Sequence, residues 1–92
     1  MANVIITLKA MMDSPDVDAH AAEKKIVAKV KDFNNHKDVR ASVHPVAFGL
    51  KAVEVMFVSD EAQGSTDKLE EEIIAIDGVG SVEVTDVRRA IG

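Results

Sequence analysis

The break Pro45-Val46-Ala47-Phe48-Gly49 separates two strand-like runs near the middle of the chain and forces a reversal between them. Pro45 locks its own φ and lacks a backbone donor, so the preceding strand should stop pairing there. Gly49 supplies the conformational freedom that a tight reversal needs. Phe48, a large apolar side chain, falls between these two on an expected loop. An aromatic so placed is either a lid on the core or a probe for a partner.

The periodicity on either side of this break repeats. From Asn3 to Met11, Val4, Ile6, Leu8 and Ala10 alternate with Thr7 and Lys9, as in a half-buried strand. Met12 to Asp16 reads as a turn, with Ser14 or Asp16 able to cap a helix. From Val17 the spacing becomes helical: Ala19, Ala22, Ile26, Val30 and Phe33 share one face. Lys24, Lys25, Lys29 and Lys31 lie mostly on the other, as a solvated face. Asn34 to Asp38 ends this helix, and Val39, Ala41 and Val43 then alternate with Arg40, Ser42 and His44.

After the break, Leu50 to Ser59 resumes as a strand whose apolar end predicts a central place in a sheet. Asp60 to Gly64 is a loop, and Ser65 or Thr66 caps a second helix with Leu69, Ile73 and Ile76 inward. Gly78 and Gly80 are expected as helix terminator and turn. Val79 to Val87 forms the last strand, and residues from Arg88 to Gly92 trail from it. The order β-α-β-β-α-β is that of two βαβ halves. It predicts an α+β, ferredoxin-like split βαβ sandwich, with a four-stranded antiparallel sheet and two helices on one face. The 92 residues are expected to make a single domain.

Composition narrows the function. The chain has no cysteine, which removes disulfides, thiol catalysis and thiolate metal sites. A net charge of −5 argues against attachment to nucleic acid or an anionic membrane as the main activity. No apolar run is long enough for a spanning helix and no signal peptide opens the chain, so a cytoplasmic protein is expected. His20, His36 and His44 show no metal-ligand spacing. Asp13, Asp16 and Asp18 lack the glycine and the closing glutamate of a calcium loop. Gly78-x-Gly80 lies between a helix and a strand, the wrong order for a nucleotide loop. RNA-binding sheets of this architecture stack bases on aromatics of the two central strands, and here those strands offer only Phe57. No cofactor, metal or covalent chemistry is expected. What remains is a protein-interaction module. The adjacent pair Arg88-Arg89 is either a solubilising tail or a planar donor fork for phosphate or carboxylate.

Three segments together resemble the archaeal translation elongation factor 1-beta family. They are the stretch from Pro45 to Lys51, Gly64-Ser65-Thr66-Asp67-Lys68-Leu69-Glu70-Glu71, and Val82-Glu83-Val84-Thr85-Asp86-Val87-Arg88-Arg89. The Ser-Pro-Asp-Val-Asp segment from Ser14 to Asp18 adds to them. The similarity runs over essentially the whole chain, and the family's ferredoxin-like fold agrees with the periodicity. It implies guanine-nucleotide exchange on elongation factor 1-alpha, the GTPase that delivers aminoacyl-tRNA to the ribosome. In the eukaryotic relatives the loop aromatic contacts the GTPase, and Phe48 occupies that position. A lysine near their C-terminus enters the magnesium site of the GTPase, and the residue nearest in position is Arg89, with Arg88 the alternative. The resemblance thus implies a partner-binding set of Pro45, Phe48, Gly49, Lys51, Arg88 and Arg89, with the free protein expected to be a monomer. The competing class is a small ferredoxin-like regulatory or ligand-binding domain that acts by self-association through its sheet edges.

Overall fold

In the computed structural model, which describes residues 3–89, the elements follow the predicted order. Strands β1 (Asn3–Met12), β2 (Val39–Pro45), β3 (Lys51–Asp60) and β4 (Val79–Arg89) form one antiparallel sheet in the order β2-β3-β1-β4. Helices α1 (Ala19–Phe33) and α2 (Asp67–Ile74) bury their apolar stripes against it. The fold is therefore the ferredoxin-like α+β sandwich, with β1 and β3 central. Among the described residues no helix is long and apolar enough to cross a membrane.

Period-2 alternation places Ile6, Leu8 and Ala10 of β1 opposite Phe57, Val55 and Val53 of β3, all buried on the helix side. Ala22, Ile26 and Val30 of α1 and Leu69 and Ile73 of α2 close over them at helical spacing. The exposed faces of the helices meet across a Lys29–Glu72 ion pair of 3.9 Å, too solvated to contribute much. Phe57 packs edge-on to Phe33, with ring centroids 6.1 Å apart. That burial takes the aromatic of the central strands away from the open face of the sheet.

Several local boundaries differ from the sequence expectation. Neither Ser14 nor Asp16 caps α1. Ser14 Oγ accepts the Asp16 N–H at 3.2 Å in a separate turn, and Val17 is still outside the helix. Asp18 is the cap, its Oδ1 accepting from His20 and Ala21 at 3.1 and 3.2 Å. Helix α2 stops at Ile74, so Ile76 packs on the core from the following turn. At its start Ser65 Oγ accepts the Asp67 N–H at 3.0 Å, while the Thr66 hydroxyl donates to Glu70 Oε2 at 3.0 Å. Strand β4 runs on through Arg88 and Arg89, which pair with β1 rather than trailing as a tail. The expected tail from Ala90 to Gly92 lies outside the described residues.

Gly78 and Gly80 also have roles the spacing did not reveal. Gly78 turns with φ +94°, and its carbonyl accepts the Asp13 N–H at 2.9 Å. Gly80 lies within β4 as the extra residue of a bulge, since Met11 faces Ser81 and Met12 faces Val79. A Cβ at Gly80 would stand 3.1 Å from the Asp13 Cα, and one at Gly78 only 2.7 Å from Val17 Cγ1. Gly64, with φ +83°, has open space around it. Gly78→Ala should therefore destabilise more than Gly64→Ala. A side chain on a positive-φ backbone costs about 1–3 kcal/mol at each, and the clash with a branched, poorly yielding side chain adds to it only at Gly78. Urea denaturation of the two variants checks the order.

Candidate functional site

The hairpin between β2 and β3 is built around an unusual residue. Pro45 faces Lys51 as the last pair of the β2–β3 ladder, and the loop then closes through Val46 N–H to Leu50 O at 2.9 Å. Inside it, Phe48 has φ 63° and ψ 27°, followed by Gly49 with φ 75°. Leu50 N–H donates to Ala47 O at 3.3 Å across this pair. Two successive left-handed residues spanned by such a bond define a type I′ turn. That turn favours Asn, Asp or Gly in its first central position, because a Cβ there crowds the backbone. Phe48 has none of their advantages.

The turn does not use Phe48 for packing. Its side chain is 92% exposed, the most exposed of the large apolar residues described. The aromatic is thus not a lid on the core. Gly49 approaches the β1–α1 connection, where a Cβ on it would lie 3.8 Å from Pro15 Cβ. Pro15 therefore flanks the turn, a neighbour that its place in the sequence, more than thirty residues away, did not disclose.

The other candidate residues lie at the far end of the sheet. Val4 of β1 faces both Ser59 of β3 and Arg89 of β4. Lys51 and Ser59 are eight residues apart on β3, roughly 26 Å at strand rise. Pro45, Phe48, Gly49 and Lys51 come together at one end of a domain about 42 Å long. Arg88 and Arg89 come together at the other. The structure does not join these two groups.

A second bulge in β4 assigns the arginines to faces. Thr7 faces Asp86 but Leu8 faces Val84, so Thr85 is the extra residue. Beyond it Arg88 pairs with Ile5 on the open side of the sheet, and Arg89 pairs with Val4 on the helix side. Arg88 Nε donates to Asp86 Oδ2 at 2.8 Å, and Arg89 Nη2 to Glu61 Oε1 at 2.8 Å. Both arginines stay largely exposed. Asp86 shares a strand face with Arg88 at a spacing of two, a relation visible in sequence once the strand is extended. Glu61 carries no such signal.

The residues that hint at catalysis do not assemble into a centre. On the open face His44 Nε2 lies 2.8 Å from Ser42 Oγ and 3.7 Å from Glu54 Oε1. A nucleophile relay needs one ring nitrogen for the hydroxyl and the other for the carboxylate. Here one nitrogen faces both, on an exposed strand. Among the described residues no three His, Asp or Glu side chains are grouped to hold a metal ion.

The domain thus carries an apolar tip on a strained turn at one end and two exposed cations at the other. The chain belongs to the EF-1 guanine nucleotide exchange domain family, whose profile matches residues 5–90. It is 43% identical over 90 residues to elongation factor 1-beta of Methanothermobacter thermautotrophicus, covering 97% of this chain and 98% of that protein. Elongation factor 1-beta of Methanobrevibacter smithii is 39% identical over the same shares of each chain. Elongation factor 1-beta of Metallosphaera sedula is 35% identical over 97% of both. Among solved structures, the de novo designed protein Foldit4 superposes with a TM-score of 0.62 over 98% of each chain. At 20% identity that likeness concerns the fold alone.

If the turn holds Phe48 against its backbone preference, a residue suited to the left-handed region should relieve it. Phe48→Asn is expected to stabilise the domain by about 0.5–1 kcal/mol. The denaturation midpoint in urea should rise with an unchanged slope.

Proposed function

We propose that the protein promotes release of GDP from elongation factor 1-alpha, so that GTP can rebind during translation elongation. The observation that carries this reading is Phe48, held fully exposed in a conformation unfavourable to it. Backbone strain at a surface residue that packs on nothing is retained for contact with something else. Membership of the exchange-domain family supplies the class of partner.

The reading assigns two contacts. Phe48 anchors the domain on the GTPase by filling an apolar pocket, with Pro45, Gly49 and Lys51 shaping and flanking the turn. Arg88 or Arg89, at the opposite end, presents a cation to the anionic surroundings of the bound nucleotide and its Mg²⁺. A four-stranded sheet keeps the two contacts at a set separation, so docking the first aims the second. The nucleotide is held by charge neutralisation around its phosphates. A partner that binds best when that arrangement is disturbed must weaken nucleotide binding by the same coupling factor. Couplings of about 1–3 kcal/mol change affinity roughly 5- to 150-fold.

No covalent bond is made or broken by the factor in this scheme, which makes it an exchange factor and not an enzyme in the chemical sense. The partner is the GTPase, with no direct role for nucleic acid or membrane, and the site of action is the cytoplasm. The defining experiment is release of a fluorescent GDP from the cognate elongation factor 1-alpha, with and without this protein. Acceleration at substoichiometric amounts is expected. Unchanged release from an active GTPase would overturn the proposal.

The two contacts separate in mutants. Phe48→Ala should weaken GTPase binding by about 2 kcal/mol while the domain stays folded, as read by titration calorimetry and circular dichroism. Replacing Arg88 and Arg89 together with alanine should leave affinity within about twofold but slow GDP release about tenfold or more. Stopped-flow release at saturating factor measures that loss.

A further inference from the structure

Arg89 is held by a residue that nothing in its own segment suggests. Its Nη2 lies 2.8 Å from Oε1 of Glu61, 28 residues away in sequence. Glu61 opens the single helical turn Glu61–Gln63 that follows β3. The turn is itself tied down at both ends. Asp60 Oδ1 accepts the Ala62 N–H at 2.9 Å, and Gln63 Nε2 donates to the Phe33 carbonyl at the end of α1 at 2.7 Å. Glu61 thus projects from a braced turn, on the same end of the domain as Arg89. Arg88 differs, because its partner Asp86 is a neighbour on its own strand and moves with it.

We propose that Glu61 is a positioning residue, which holds the Arg89 guanidinium on the helix side of the sheet for presentation to an anionic site on the GTPase. The proposal rests on the reading above, in which a cation at this end drives nucleotide release. The ion pair engages one terminal nitrogen and one carboxylate oxygen, and the Arg89 side chain is still 73% exposed. The planar fork has five donors, so a single contact orients it without consuming it. A long side chain ordered before docking avoids an entropy cost that the complex would otherwise meet. Arg89 is the better-placed cation on this ground, since its anchor belongs to the braced body of the domain.

The test is GDP release from elongation factor 1-alpha at increasing concentrations of the wild type, E61Q, R89A and the double variant. Each titration separates maximal rate from half-saturating concentration. R89A should lower the maximal rate about tenfold, with half-saturation within about twofold. E61Q should lower it roughly two- to fivefold, the range for a solvent-exposed ion pair. The double variant should be no slower than R89A alone. The charge-swapped variant E61R/R89E can re-form the pair but removes the cation from its place, and should stay slow. A purely structural pair would recover the rate in that variant, which would overturn the proposal. So would E61Q exchanging as fast as wild type, exchanging faster (Glu61 then sequesters the cation), or losses that multiply in the double variant. R89A at the full wild-type rate would also overturn the proposal, and would leave Arg88 as the cation of the function proposed above. A slow R89A with an unaffected E61Q would overturn only the role of Glu61.

Discussion

The double pairing of β1 is the constraint on which the rest of this structure depends. β1 lies between β3 and β4, and its residues Ile6, Leu8 and Ala10 carry the centre of the buried layer beneath both helices. Its ladder with β3 runs without interruption from Asn3 to Met11. Its ladder with β4 contains two bulges, at Gly80 and Thr85. An uninterrupted ladder on one side makes a stiff beam, and bulges on the other re-aim side chains. The first of them lets β4 pass close to Asp13, where a Cβ on Gly80 would stand 3.0 Å from the Asp13 Cβ. The second turns the last residues of the strand over, so Val87 and Arg89 take the helix side and Asp86 and Arg88 the open side.

The beam keeps the two candidate contacts apart, and that separation bears on how one small domain can couple binding to release. An aromatic and a cation brought together would form a single patch, able to bind but not to lever. Placed at opposite ends of the sheet, they would, under the proposed function, touch two regions of the GTPase at a defined spacing. Binding energy gained at one can then be spent on distortion at the other. The left-handed turn at Phe48 fits this division, since it presents a large apolar side chain away from the domain's own core.

Acidic residues accompany the C-terminal cations. Asp86 and Glu61 each lie 2.8 Å from an arginine in a domain of net charge −5. Exposed pairs of this kind contribute little stability. Their consequence is directional: they reduce the range of positions available to a flexible side chain. The braced turn that carries Glu61 links this end of the sheet to the end of α1 through Gln63 and the Phe33 carbonyl.

Much of the architecture was legible in the residues themselves. Alternation in β1, β2 and β3 and the stripes of α1 and α2 are local periodicities, and burial only had to act on them. The order of elements, the inward faces, the central place of β3 and the presence of an aromatic on the hairpin loop all follow from such signals. Helix boundaries were less legible, because Ser14, Asp16 and Asp18 are all competent caps and backbone geometry selects among them. Sequence alone determined that Phe48 would sit at a reversal, but it ended the last strand at Val87, two residues short of the arginines. Only the tertiary structure decided that Phe48 points to solvent, that the bulge at Thr85 puts Arg89 on the helix side and Arg88 on the open side, and that Glu61 meets Arg89. The physical reason is that a side chain's periodicity is a property of its own segment, whereas register is a property of a pair of strands. One extra residue in a ladder exchanges every face beyond it, with no change in local composition to announce it.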